Sequence, residues 1–232
     1  MPVMQHNKLS AEQIDQLYLF VQNNGVHYYD LQTELVDHLA NHIESQWKSN
    51  QNPDFEAALS FAYSGFSDDG FPSLVKLRKE ALGKRYVKLV TKGFIAFFTP
   101  PAILVTVALL FGWYYLFRFD KEIFGVLFAA MQMAVLAWVL YQRNKIKKKA
   151  EITGRKWLFE ELIYSSAIVL AYMGFSFQIV RLCFMKYTVD FFTYGIPLVV
   201  TVLTLNSYIG TFMIPSRAEE YLRDTYPEYD LV

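Results

Sequence analysis

The sequence predicts an all-α protein: a small N-terminal cytoplasmic helical domain followed by a four-helix transmembrane bundle. Three observations predict it. Apolar residues fill 53% of the 232 positions and charged residues only 19%, where soluble chains carry about 25% charged. Four long apolar stretches, 93–117, 123–141, 162–180 and 191–214, approach or exceed the roughly 20 residues that a hydrocarbon core of about 30 Å demands. Residues 1–72 instead hold ten acidic side chains against Lys8 and Lys48 and repeat their apolar residues with helical period. This distribution excludes a secreted disulfide scaffold, a disordered tail, a coiled coil and an ordinary cytosolic enzyme. Cys183 is the single cysteine. Its apolar neighbours Leu182 and Phe184 predict a small buried or interfacial hydrophobe. The N-terminus has neither a basic nor an apolar region of the signal-peptide kind, so no cleavable leader is expected.

Each element of the head has its own signal. Ser10 and Gln13 have capping-box spacing, and Leu9 with Ile14 could close a hydrophobic staple. Ile14, Leu17, Tyr18 and Val21 then form one face, and Asn24-Gly25 predicts the C-cap. A second helix is expected from Asp30 to about Lys48, with Leu31, Leu35, Val36, Leu39, Ile43 and Trp47 as its apolar side. A third is expected from Asn52-Pro53-Asp54, with Pro53 at the first helical position. It would bury Phe55, Leu59 and Phe61–Ala62 and stop at Ser64-Gly65. Three short helices share only a small core, so lipid or a partner is expected to support the head.

One cluster in the head carries chemistry. Glu34, His38 and His42 stand at i, i+4 and i+8, along a single helical stripe. Two histidines four apart can hold zinc, but Leu39 follows His38 where a metalloprotease helix needs glutamate. Both histidines fall at the edge of the apolar face, which predicts a packing role, with metal binding and pH sensing as alternatives. No nucleophile–base pair accompanies them, so no enzymatic activity and no cofactor is expected.

The run from Leu9 to Glu44 resembles the N-terminal region of a group of uncharacterised bacterial four-span integral membrane proteins. The shared pattern is an opening amphipathic helix, Gly25, and an E-L-x-D-H-x-x-x-x-I-E helix carried by Glu34, Leu35, Asp37, His38, Ile43 and Glu44, with His42 inside it. The head is similar, more loosely, to HAAS-type and permease-prefix cytoplasmic domains, which precede transmembrane segments. That likeness covers residues 9–82 and implies architecture and a signalling role, not chemistry.

Charge sets the expected topology. The segments flanking the membrane on one side (76–92, 143–156 and 215–232) hold sixteen Lys and Arg, and the opposite loops only Arg118, Lys121, Arg181 and Lys186. The excess places the head, the middle loop and the 215–232 tail in the cytoplasm of a cell inner membrane. Aromatic residues agree: Trp113, Tyr114, Tyr115 and Tyr187 would mark the outer boundary, and Trp138, Tyr141, Trp157 and Tyr208 the inner one. Residues 73–92 read as a basic juxtamembrane helix leading into the first span. Pro100-Pro101 would kink or start that span, and Pro197 would kink the fourth.

The spans hold no central charge, unlike ion-coupled transporters. Gln132, Ser165, Ser166, Ser176, Gln178, Asn206 and Ser207 are expected to hydrogen-bond between helices. Glu160 and Glu161, at the cytoplasmic end of the third span, are expected to pair with Arg155 and Lys156. The alternative makes them the mouth of a substrate path. Lys145, Lys147, Lys148, Lys149, Arg155 and Lys156 form the densest basic stretch and are candidate contacts for lipid headgroups or a protein partner. Nucleic acid is not an expected partner, because the adjoining domain is acidic. Together these features predict a non-catalytic membrane accessory or signalling protein, whose head binds a partner and whose bundle forms a homo-oligomer or joins another subunit. A small transporter or lipid-handling protein is the alternative.

Overall fold

The computed structural model describes residues 8–49, 53–66, 70–165, 176–183, 190–226 and 229. All regular structure among them is helical, with no strand, in agreement with the predicted all-α class. The chain divides into two compact units. The first comprises the described residues of Met1–Gly83 together with Gly154–Leu158. The second comprises Lys84–Thr153 and the described residues of Phe159–Val232.

In the first unit, α1 (Ala11–Asn23) opens with the predicted capping box: Gln13 N–H donates to Ser10 Oγ and Ser10 N–H to Gln13 Oε1. It ends at Asn24, where Gly25 takes φ +87°, a left-handed conformation that suits glycine. Leu17 and Val21 are fully buried, whereas Ile14 stays 37% exposed. The N-terminal end of α1 is tethered instead by Leu9 N–H, which donates to the Glu44 carboxylate at 3.2 Å. Helix α2 (Tyr29–Lys48) buries all six of its predicted apolar residues.

Helix α3 (Phe55–Ser64) is capped by Asp54, whose side chain accepts from Ala57 N–H at 2.9 Å. Pro53 therefore lies outside the helix rather than at its first position, and its carbonyl accepts the Trp47 indole N–H. Ala58, Leu59 and Ala62 are buried, but Phe61 is 68% exposed. Its place inside the head is taken by aromatic residues at the far end of α3. Tyr63 and Phe71 make edge contacts with Phe20 and with each other, Phe66 makes one with Phe71, and Phe71 is fully buried. Phe71 begins α4 (Phe71–Ala96), so a fourth helix completes the head core and the compact unit runs to Gly83, beyond the expected boundary at 72.

In the second unit the expected span 93–117 is not one helix. Helix α4 ends at Ala96 and α5 (Ile103–Phe119) starts after Pro100 and Pro101. Neither proline can donate a backbone hydrogen bond, and each restricts the residue before it. Helix α6 (Lys121–Thr153) contains the second expected span and continues through Lys145–Lys149. The collar is thus three helical turns and not a loop, and the break comes only at Gly154, where φ is +67°. Of the third expected span, α7 (Leu158–Ile163) and α8 (176–183) are described. Residues 166–175, Ser166 included, lie outside the described residues.

Helix α9 (Asp190–Tyr208) continues into a π turn (Ile209–Met213), a 3₁₀ turn (Pro215–Arg217) and α10 (Ala218–Arg223). The first part of the tail is therefore helical. Helix α5 packs against α9 and α6. The core of this unit is Phe117, Phe124, Phe128, Ile179, Ile196, Val200 and Leu203, with Cys183 among them as expected. Two described helices are long and apolar enough to cross a membrane, Lys121–Thr153 and the continuous run Thr193–Arg223. Ile103–Phe119 is apolar but shorter.

Candidate functional site

The head carries a cavity of about 460 Å³ between α2, the end of α3 and the first turns of α4. One wall is the stripe singled out from the sequence: Glu34, His38 and His42, with Leu31 and Leu35 beside them. The 3.6-residue period explains the grouping, since positions four apart stack along one face. The opposite wall is Leu74, Leu77 and Arg78 of α4, and Ala62 and Phe66 close the end. Leu77 is 61% exposed. This volume lies in the range of natural ligand and peptide pockets. The lining is mainly apolar, with its charges confined to Glu34 and Arg78.

Those two charges face each other at 3.7 Å, both more than a third exposed. Screening by solvent makes such a pair worth little. The guanidinium is not held further: the buried Arg78 Nε–H has no hydrogen-bond partner among the described residues. Asp37 is exposed on the outer side of α2, and Glu44 serves the α1 tether. The head motif therefore divides between a cavity wall, a structural tie and a solvated position. No group of three His, Cys, Asp or Glu side chains converges among the described residues. What the cavity can do chemically is bury an apolar ridge and offer one cation and one anion at its rim.

A second feature of the same unit was not legible in the sequence. Helix α2 begins at Tyr28 without a side-chain cap. Its unpaired N-terminal groups are met by residues 154–158, more than a hundred positions later. Tyr29 N–H donates to the Lys156 carbonyl at 2.8 Å, and Leu158 N–H donates to the buried Asp30 carboxylate at 3.1 Å. Trp157 is buried edge-on against Tyr29, so it does not mark a lipid boundary. Arg155 sits 4.8 Å from the Tyr29 ring centre and the Lys156 ammonium 4.9 Å from that of Tyr28, contacts worth about 0.5–1 kcal/mol each at exposed sites.

The expected partners of Glu160 are those two cations. Glu160, 5% exposed, takes Lys149 at 3.0 Å instead, and Lys149 also donates to the Tyr229 hydroxyl at 3.0 Å. Burial by itself lowers the Lys149 ammonium, but the hydrogen bonds to Tyr229 and Glu160 outweigh it and hold the group above the ordinary lysine value. Glu161 is exposed on α7. Lys145, Lys147 and Lys148 are exposed on the end of α6, Lys147 within 4.0 Å of Glu151. The six basic candidates thus separate into three on an exposed face, one bonded to a buried acid and two lying over tyrosine rings.

Comparison with models of known protein families, with curated proteins and with solved structures returned no match. Any function must therefore be inferred from the chain's own side chains.

Proposed function

We propose that this chain is a non-catalytic integral membrane protein whose cytoplasmic helical head binds an amphipathic helix of a partner protein. The observation that carries the reading is the cavity walled by Glu34, His38, His42, Leu74, Leu77 and Arg78. An apolar ridge of a partner helix would fill it, with an acid placed for Arg78 and a base for Glu34. The partner is another subunit of the membrane or a second copy of the chain. The resemblance of the head to domains that precede membrane segments supports the same reading.

The membrane placement we propose has four crossings with both termini cytoplasmic. It rests on the four apolar stretches, on the two long apolar helices and on the excess of basic residues on one side. The break at Pro100-Pro101 moves the first crossing onto α5. Exposed Lys145, Lys147 and Lys148 then suit anionic lipid headgroups.

The test is site-specific crosslinking of the full chain in native membranes. A photoreactive residue at His42 should give one defined protein adduct, and the same residue at exposed Gln22 should give none. Leu77→Glu, at an exposed position that folding tolerates, should abolish the adduct. An adduct insensitive to Leu77→Glu, or none at all, sinks the proposal. The transporter alternative would need Glu160 as an open mouth, and the burial of Glu160 under its pairing with Lys149 argues against it.

A further inference from the structure

The second unit holds a smaller cavity, of about 40 Å³, walled by α6, α9 and the π turn. Its polar lining carries no charge: Gln132 and Gln142 come from α6, Asn206 and Ser207 from α9 and Thr211 from the turn, with Tyr86, Tyr164 and Ser165 beside them. Gln132 is 5% exposed and Thr211 4%. Neither Gln132 Nε2 nor Thr211 Oγ1 has a hydrogen-bond partner among the described residues. Buried polar atoms in native proteins are almost always paired, and two orphans on the walls of one cavity indicate a shared ligand.

The backbone makes the room. Ile214 N–H donates to Ile209 O at 2.9 Å, five residues back, so the helix gains one residue in a single turn. Such π turns are frequent at functional sites. Here the turn brings Gly210 and Thr211 to the cavity wall. A Cβ at Gly210 would make ordinary van der Waals contact with Tyr86 Oη, at 3.6 Å.

We propose that this cavity binds a neutral hydroxyl group, which accepts a hydrogen bond from Gln132 and bonds the Thr211 hydroxyl, and that the π turn serves to open it. The volume admits from one to about three water-sized groups. A phosphate would want Arg or Lys, and a divalent cation would want carboxylates; the lining offers neither. The hydroxyl has two possible sources, water and a small polyol. The site stands on the second unit alone. Only its lipid setting rests on the membrane reading, so loss of the crosslink at His42 would leave it untouched.

The test uses the full chain in lipid nanodiscs with glutamine labelled at the side-chain nitrogen, the Gln132 signal being the one lost in Gln132→Leu. Magnetisation transfer to it from water protons assigns water. Transfer only from added glycerol protons assigns a polyol. Transfer from neither overturns the proposal. Thr211→Val should also lower the unfolding midpoint by about 2–4 °C, with Gln132→Leu/Thr211→Val no worse than the worse single variant, because both lose one shared ligand. A raised midpoint, or strictly additive losses, would mean that no occupant joins the two groups.

Discussion

The two units put the same residue types to opposite use. In the head, large apolar side chains are hidden: Leu17, Leu39, Ile43 and Phe71 are fully buried, and few large ones besides Leu19, Phe61 and Leu77 are left outside. On α5 and α6 a buried core of Phe117, Phe124 and Phe128 is joined by many large apolar side chains left outside. Leu104, Val105, Phe111, Phe119, Val126, Leu127 and Met133 face outward, while Gln132 is inside. Polar groups differ as well. Several head polar groups bind across elements, as Glu44 does to Leu9 and Asp30 to Leu158. Those of α9 mostly bond back within one turn: Thr201 to Pro197 O, Thr204 to Val200 O and Asn206 to Val202 O. On the proposed membrane placement, water rewards the first arrangement and a solvent without hydrogen bonds the second. The difference teaches that the hydrophobic effect sorts side chains only relative to the solvent outside.

The largest effect should come from moving one large side chain in each unit. Phe71→Ala should cost about 3–5 kcal/mol, the range for a large buried aromatic residue. Leu104→Ala, on the outward face of α5, should change stability by less than about 0.5 kcal/mol. Thermal unfolding of the purified chain in lipid nanodiscs measures both. A comparable loss at Leu104 would break the contrast, because that face would then be packed on protein.

The head was largely legible because its signals are local. The capping box at Ser10 and Gln13, the stop at Gly25 and the apolar stripe of α2 each lie within one or two helical turns. Helix α3 starts two residues later than the sequence suggests, at Phe55 after the Asp54 cap, since Pro53 suits either side of a helix start. The cavity was half legible: Glu34, His38 and His42 share a stripe, but residues 73–92 read only as a basic juxtamembrane helix. The apolar period of Leu74 and Leu77 does not say what they face. Nothing near Tyr28 or Asp30 pointed to residues 154–158.

A middle-sized effect sharpens the comparison at its polar exception. Lys149→Met leaves the buried Glu160 carboxylate without its cation and should cost about 1–3 kcal/mol at neutral pH. The Lys149 ammonium is held above its ordinary value of 10.5, so its contribution is fully present below that value and is lost as pH rises beyond it. The difference between wild type and variant should stay level from about pH 6 to 9 and shrink in stronger alkali. A difference that already fades below pH 9 would show that the pair is not what Lys149 contributes.

The smallest effect tests the head's local signals. Ser10→Ala removes one side of the capping box and should cost about 0.5–2 kcal/mol, read as faster hydrogen exchange at Gln13 and in the first turn of α1. Unchanged exchange there would mean that the Leu9–Glu44 tie alone holds that end.

The sequence by itself determined the helical class, the caps of α1, the two long apolar helices and the separation of an acidic head from basic collars. Each follows from residues adjacent or one turn apart, where propensity, capping and hydropathy act. Only the tertiary structure decided that α2 is capped by Lys156, that α4 closes the head core, that Glu160 takes Lys149, and that Gln132 and Thr211 face one cavity. These contacts join residues far apart in the chain. A hydrogen bond or ion pair is short-ranged and directional, so its partner is chosen by folding and not by spacing.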